Sequence, residues 1–285
     1  MRAMGNAVRR AAAFWFAALL IAIAAATAQA PPERGRLEFS ARVTPASGRP
    51  EPARELTIFL LNRSFADIER EAAEKTARPD LGAFVDQLHF SPELKEWMKK
   101  NHTVTIIGDE FRNRVTPDDL FRVPEFLDAY VNSNLSGLNQ GFPAPKYDSM
   151  DRTLNPKKYE ENRKVYEVQL RKYLAQHADS KDGMDTILGQ VDPTNAWGME
   201  ELRWRERVHT RALEMAQTEY LAAKTDTNLE GRGAFEALPG AYWLSTLDGE
   251  ALGGEKHLRW NVQVEVRAGE TTRAELNNLN AEKQR

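Results

Sequence analysis

Hydrophobic alternation with a period of two is confined to the two ends of this chain, and a long helical stretch separates them. Leu37, Phe39, Ala41 and Val43 alternate with Glu38, Ser40 and Arg42, which predicts a strand with one wet face. Leu56 to Leu61 is apolar on both faces and reads as a central strand. Residues 233–236, 241–247, 262–266 and 272–276 return to the strand period, with Leu238-Pro239-Gly240 and Ala268-Gly269-Glu270 as turns. Neither end can make a sandwich alone, since two or three strands are marginal without partners. The economical solution is one antiparallel β-sandwich of about seven strands formed by both chain ends, with a large α-helical subdomain inserted at a loop, an α+β fold.

The middle carries helix-start signals in series. Ser64 precedes Asp67 as a capping pair. Ser91-Pro92, Thr116-Pro117, Val123-Pro124 and Asn155-Pro156 each place proline at a first helical position. Tyr159, Tyr166, Leu170 and Tyr173 recur at helical spacing. From about Thr194 to Ala222 two apolar stripes lie on opposite sides, Leu202, His209, Leu213, Ala216 and Tyr220 against Trp197, Trp204, Val208 and Met215. A helix of that kind is expected to be central and packed both ways.

The first thirty residues read as an address. Arg2, Arg9 and Arg10 precede the apolar run Ala11 to Ala26, and Ala28-Gln29-Ala30 supplies a small-x-small cleavage site before Pro31. All three parts of a secretory signal peptide are present, and the run is shorter than the roughly 20 residues a membrane span needs. The expected layout is 1–30 signal peptide, 31–62 first sandwich half, 63–222 helical insert, 223–278 second half and 279–285 polar tail. The expected location is secreted or periplasmic, with membrane contact only through the signal segment before cleavage.

Composition narrows the function classes. With 41% hydrophobic and 28% charged residues the chain is a globular protein, and a mean hydropathy of −0.59 excludes a polytopic membrane protein. Losing the leader's three arginines takes the formal charge from −3 to −6, so nucleic acid is not an expected partner. Zero cysteines remove disulfides, thiolate metal sites and thiol catalysis. Asn62-Arg63-Ser64, Asn101-His102-Thr103 and Asn134-Leu135-Ser136 are glycosylation sequons.

The two β ends resemble the halves of a carboxypeptidase regulatory-like domain, a transthyretin-like β-sandwich of the carbohydrate-binding-like fold. The resemblance is carried by Gly35-Arg36-Leu37, Val43-Thr44, Ser47-Gly48-Arg49-Pro50 and Leu56 to Leu60 in the first half. In the second it is carried by Thr225-Asp226, Gly231, Gly233-Ala234-Phe235 and Leu238-Pro239-Gly240-Ala241-Tyr242-Trp243-Leu244. Gly233 stands where the family more often has an aromatic, and the intact family domain has no helical insert. The resemblance implies Phe235, Leu238, Tyr242 and Leu244 between the sheets. It also implies a non-catalytic module that binds or scaffolds in the cell envelope, with a protein or a glycan as partner.

Motifs for chemistry are sparse. His89, His102, His177, His209 and His257 show no metal-ligand spacing, so neither metal nor other cofactor is expected. No nucleophile elbow or phosphate loop occurs. His209 falls in an apolar stripe and is expected to be a core histidine. A hydrolase would need a cleft in the insert from residues such as His102, Asp118, Asp119 and His209. A carbohydrate-binding protein would need exposed aromatics, for which Trp243 and Trp260 are the candidates. For Trp243, packing beneath the inserted helices is the favoured reading.

Overall fold

The computed structural model describes residues 33–46, 48–136, 141–147 and 149–282; the signal-peptide reading of residues 1–30 lies outside them. The fold is α+β, 46% helical and 22% strand. The chain divides into two compact units at Ala72/Ala73 and Val208/His209, so that both chain ends belong to one unit and residues 73–208 form the other.

In the unit of the chain ends, β1 (Gly35–Val43), β2 (Glu51–Pro52) and β3 (Thr57–Leu61) precede β4 (Leu221–Asp226), β5 (Arg232–Ala237), β6 (Gly240–Ser245), β7 (Ala251–Gly253), β8 (Lys256–Leu258), β9 (Asn261–Val266) and β10 (Thr271–Leu276). β1 pairs with β5 and β10, and β2 joins near its end; a second sheet runs β4-β3-β6-β9. Strands from the first end are thus flanked by strands from the second in both sheets. The β1–β10 pair is parallel, Arg36 opposite Thr271 to Ala41 opposite Leu276, so the sheets are not antiparallel throughout.

The buried alternation of β1 falls on Leu37, Phe39, Ala41 and Val43, as its sequence requires. These join Ile58, Leu60, Phe235, Leu244 and Val266 in one apolar core fed by both sheets. Leu238 is not part of it: it is 46% exposed at the β5–β6 turn, and Tyr242, half-buried, donates its hydroxyl to the Leu238 carbonyl at 3.0 Å. The leucine is turned outward while its backbone closes the turn.

Three strands fall where sequence periodicity is silent or misleading. β4 begins at Leu221, within the stretch read as helix to Ala222, because the long helix ends at Thr218. The β7–β8 hairpin has only three residues per strand, too few to show a period.

In the other unit, helices begin at Pro92, Pro117, Pro124 and Pro156, each with the proline at its first position as the sequence predicts. Thr116 and Asp119 form a reciprocal capping box. Trp97, Phe111 and Phe126 pack edge to face, with centroids 5.1–5.7 Å apart, at the centre of the core. Asn134, read as a sequon, is 2% exposed and donates its amide to the Tyr130 and Ser180 carbonyls, so the folded chain offers no glycosylation acceptor there. The Thr194–Thr218 helix is not buried on both sides throughout. Leu202 is 43% exposed; Trp197 packs partly buried against Phe84, and full burial begins only at Val208 and recurs at Ala212, Met215 and Ala216.

Candidate functional site

Five segments of the chain-end unit surround a cavity of about 790 Å³. The Phe65–Glu74 helix contributes Phe65, Ala66 and Glu69, and the Thr194–Thr218 helix contributes His209. The turn after β6 contributes Leu247, Asp248 and Glu250, and the end of the β7–β8 hairpin contributes His257 and Arg259, with Glu282 beyond.

The helix carrying Glu69 is anchored locally. Ser64 accepts from the Asp67 backbone N–H and donates its hydroxyl to the Asp67 carboxylate, which Arg70 also pairs. One turn further on, Tyr220 donates its hydroxyl to Glu71 at 2.6 Å, and Arg63 bonds the same carboxylate. These contacts hold the end of the long helix beside the short one. His209 then meets Phe65 edge to face, centroids 5.9 Å apart.

His209 is the centre of the site. Its Nδ1 lies 2.9 Å from Glu69 Oε1 and its Nε2 lies 2.7 Å from Asp248 Oδ1. Only the doubly protonated ring can donate to both. Burial opposes the charge, but the two hydrogen bonds and the two carboxylate charges outweigh it, and the His209 pKa is raised. Sequence reasoning placed this histidine in the core; it is instead partly exposed and held between two anions.

A second group continues the cleft. Glu250 accepts from His257 Nδ1 at 2.9 Å and from Arg259 at 2.9 and 2.6 Å. The hydrogen bond from His257, then that from Arg259, holds the Glu250 carboxyl below the usual carboxylate range. Arg259 also approaches Asp248 at 4.0 Å. The six side chains Glu69, His209, Asp248, Arg259, Glu250 and His257 therefore alternate in charge along the wall whenever the histidines are protonated.

The turn that presents Asp248 is strained. Leu247 has φ +50, a left-handed conformation that costs a branched residue roughly 1–2 kcal/mol. It is over-determined by its surroundings: Leu247 N–H donates to Ser245 Oγ, Gly249 N–H to the Thr246 carbonyl, and Thr246 and Trp260 exchange two bonds. The buried Leu247 side chain fixes the corner, so that Asp248 points outward at His209.

The residues singled out from sequence do not assemble. Trp260 is 1% exposed, its indole N–H donating to the Asn277 carbonyl at 2.9 Å, so it offers no ring face to a sugar. It is in phase with Val262, Val264 and Val266, and that face of β9 is the one turned to the core. Trp243 is half-buried, beside Leu61 and Gln263 in the register of the second sheet. His102 is a left-handed helix C-cap, Asp119 belongs to the Thr116 capping box, and Asp118 pairs with Arg171. These three lie in the helical unit and His209 in the other.

Glu69, Asp248, Glu250, His257 and Arg259 were not legible as a cluster. One signal existed: Gly253-Gly254 marks a hairpin turn, and pairing Ala251 with Leu258 brings Glu250 beside Arg259. Among the described residues no group of three or more His, Asp or Glu is arranged to hold a metal ion, and no helix is long and apolar enough to cross a membrane. No family model, curated protein or solved structure matches this chain.

Proposed function

We propose that this chain is an exported, non-catalytic protein that binds or scaffolds in the cell envelope. Its chain-end unit is a β-sandwich of carboxypeptidase regulatory-like type, split by the helical insert, and its ionic cleft is the contact surface for an envelope protein or glycan. The observation that carries this reading is the double engagement of His209: both ring nitrogens are bonded to carboxylates, which leaves no lone pair to take a proton from a nucleophile. The described cleft wall also offers no hydroxyl, thiol or amine side chain, and three of its carboxylates, Glu69, Asp248 and Glu250, are each already engaged by a histidine or an arginine.

The sandwich reading is supported by the sharing of both sheets between the chain ends and by a single apolar core that draws on both. The Leu238-Pro239-Gly240-x-Tyr242 turn, closed by the tyrosine hydroxyl, supports the family resemblance. The residue pattern of the leader supports export.

The test is equilibrium binding of the purified protein to an array of envelope glycans and to solubilised envelope proteins. It is run beside hydrolysis assays on glycosidic, ester and peptide substrates. Binding that weakens on Asp248→Asn or Arg259→Gln, without turnover, is expected. Turnover that disappears in a normally folded His209→Leu variant would overturn the reading. N-terminal sequencing of the exported form is expected to begin at Pro31.

A further inference from the structure

The Pro156–Gln176 helix buries Tyr166, Leu170, Tyr173 and Leu174 and turns a different stripe outward. Glu161, Val165, Val168 and Lys172 are all exposed, with the two valines at 57% and 66%. Their spacing of four, three and four residues is that of the a and d seam of a coiled coil. At 100° per residue they span about 60° of the helix surface, on the side away from the buried face.

This stripe is complementary to itself when reversed. An antiparallel helix centred between Val165 and Val168 sets Val165 against Val168 and Glu161 against Lys172, with the mirror-image pair on the other side of the two-fold axis. The same register places Lys164 against Gln169 and Lys158 against Ala175, so no like charges are opposed. In this register each a position also meets a d position, Val165 with Val168 and Lys172 with Glu161, so the two stripes form regular layers. Among the described residues neither Glu161 nor Lys172 has an ion-pair partner within its own chain. A two-fold contact must be isologous, each residue finding its complement on the same patch, and this stripe meets that condition.

We propose that the Glu161–Lys172 stripe is a self-association surface, and that its occupant is the same helix of a second copy in antiparallel register. A seam with two valines per copy is at the small end of specific interfaces, so the association is weak and concentration-dependent.

Sedimentation velocity on the purified chain, over a concentration series from about 1 to 300 µM, tests the proposal at the affinities that small interfaces support. Reversible dimerisation is expected. Val168→Glu should weaken it at least tenfold by burying a charge against Val165 of the second copy, on the order of 1.4 kcal/mol or more. Glu161→Lys alone and Lys172→Glu alone should each weaken it, because each opposes like charges. The double variant Glu161→Lys with Lys172→Glu restores opposite charges in every pair and should return the dimer to near wild-type affinity. All four positions are exposed, and unchanged melting curves separate lost association from lost folding. A chain that stays monomeric throughout would overturn the proposal. So would a dimer indifferent to Val168→Glu, and a double variant no better than the singles would overturn the antiparallel register.

Discussion

The ring of Phe39 fills the space that a side chain at position 233 would need. A Cβ built on Gly233 would lie 2.4 Å from Phe39 Cζ, and the two residues are directly paired between β1 and β5. Phe39 in turn stacks on Phe235, centroids 5.5 Å apart. One aromatic from β1 thus covers a bare stretch of β5, which accounts for the glycine at position 233. The ring is contributed from across the sheet.

The expected consequence is that Gly233→Ala destabilises the chain by about 1–3 kcal/mol through overpacking, even though alanine ordinarily suits a strand better than glycine. In a Phe39→Leu background the same substitution should cost much less, because the clashing atoms are gone. Urea denaturation of the four proteins measures this coupling. Additive losses would show that the ring does not set the identity of residue 233.

His209 makes stability depend on pH. Its folded pKa is raised above the unfolded value, so its pairing with Glu69 and Asp248 contributes fully below an unfolded pKa near 6.5. The contribution is lost as pH rises through the folded pKa. The side chain is 38% exposed, so solvent screening limits the effect to roughly 1 kcal/mol. The melting-temperature gap between wild type and His209→Gln should therefore be larger at pH 6 than at pH 9. A gap that is flat across this range, or larger at pH 9, would contradict the imidazolium bridge.

Helix starts and the strands of the core were legible in the sequence because their causes are local. Proline at Pro92, Pro117, Pro124 and Pro156 fixes a first-turn conformation whatever surrounds it, and the alternation in β1 reports one buried face. The cleft was not legible, because its charges are scattered along the chain from Glu69 to Glu282 and meet only through tertiary packing. His209 shows the difference most clearly. Its helical phase with Leu213 and Ala216 pointed to the core, yet it lies where that stripe passes from packed helix to open cleft. Trp260 failed differently: its phase with the valines was legible, but which face of β9 was buried depended on the second sheet's place against the first.

Glu55 offers a clean test of backbone strain. It is an exposed residue with φ +52, held there because Leu56 N–H donates to Thr227 Oγ1 and Glu55 N–H donates to the Thr227 carbonyl. No salt bridge of its side chain is among those formed by the described residues. Glu55→Gly removes the left-handed penalty of roughly 1–2 kcal/mol while adding some freedom to the unfolded chain, for a net gain of up to about 1 kcal/mol. Chemical denaturation should show a higher midpoint with an unchanged slope. A loss of stability would mean that the side chain contributes more than its conformation costs.

Trp97 tests the helical unit in a different way. Its ring is fully buried between Phe111 and Phe126, yet its indole N–H has no hydrogen-bond partner among the described residues. A buried donor without a partner carries a desolvation cost of about 1–3 kcal/mol. Trp97→Phe removes that donor together with part of the ring, so the regained cost offsets the lost packing, and the net change is expected within about 1 kcal/mol. Trp97→Ala keeps no ring and should cost about 3–5 kcal/mol. The two variants therefore bracket the role of the indole: unfolding midpoints far apart, with phenylalanine close to wild type, are expected. If Trp97→Phe were as damaging as Trp97→Ala, the indole N–H would be engaged in the folded protein, and the centre of this core would be polar where the structure makes it apolar.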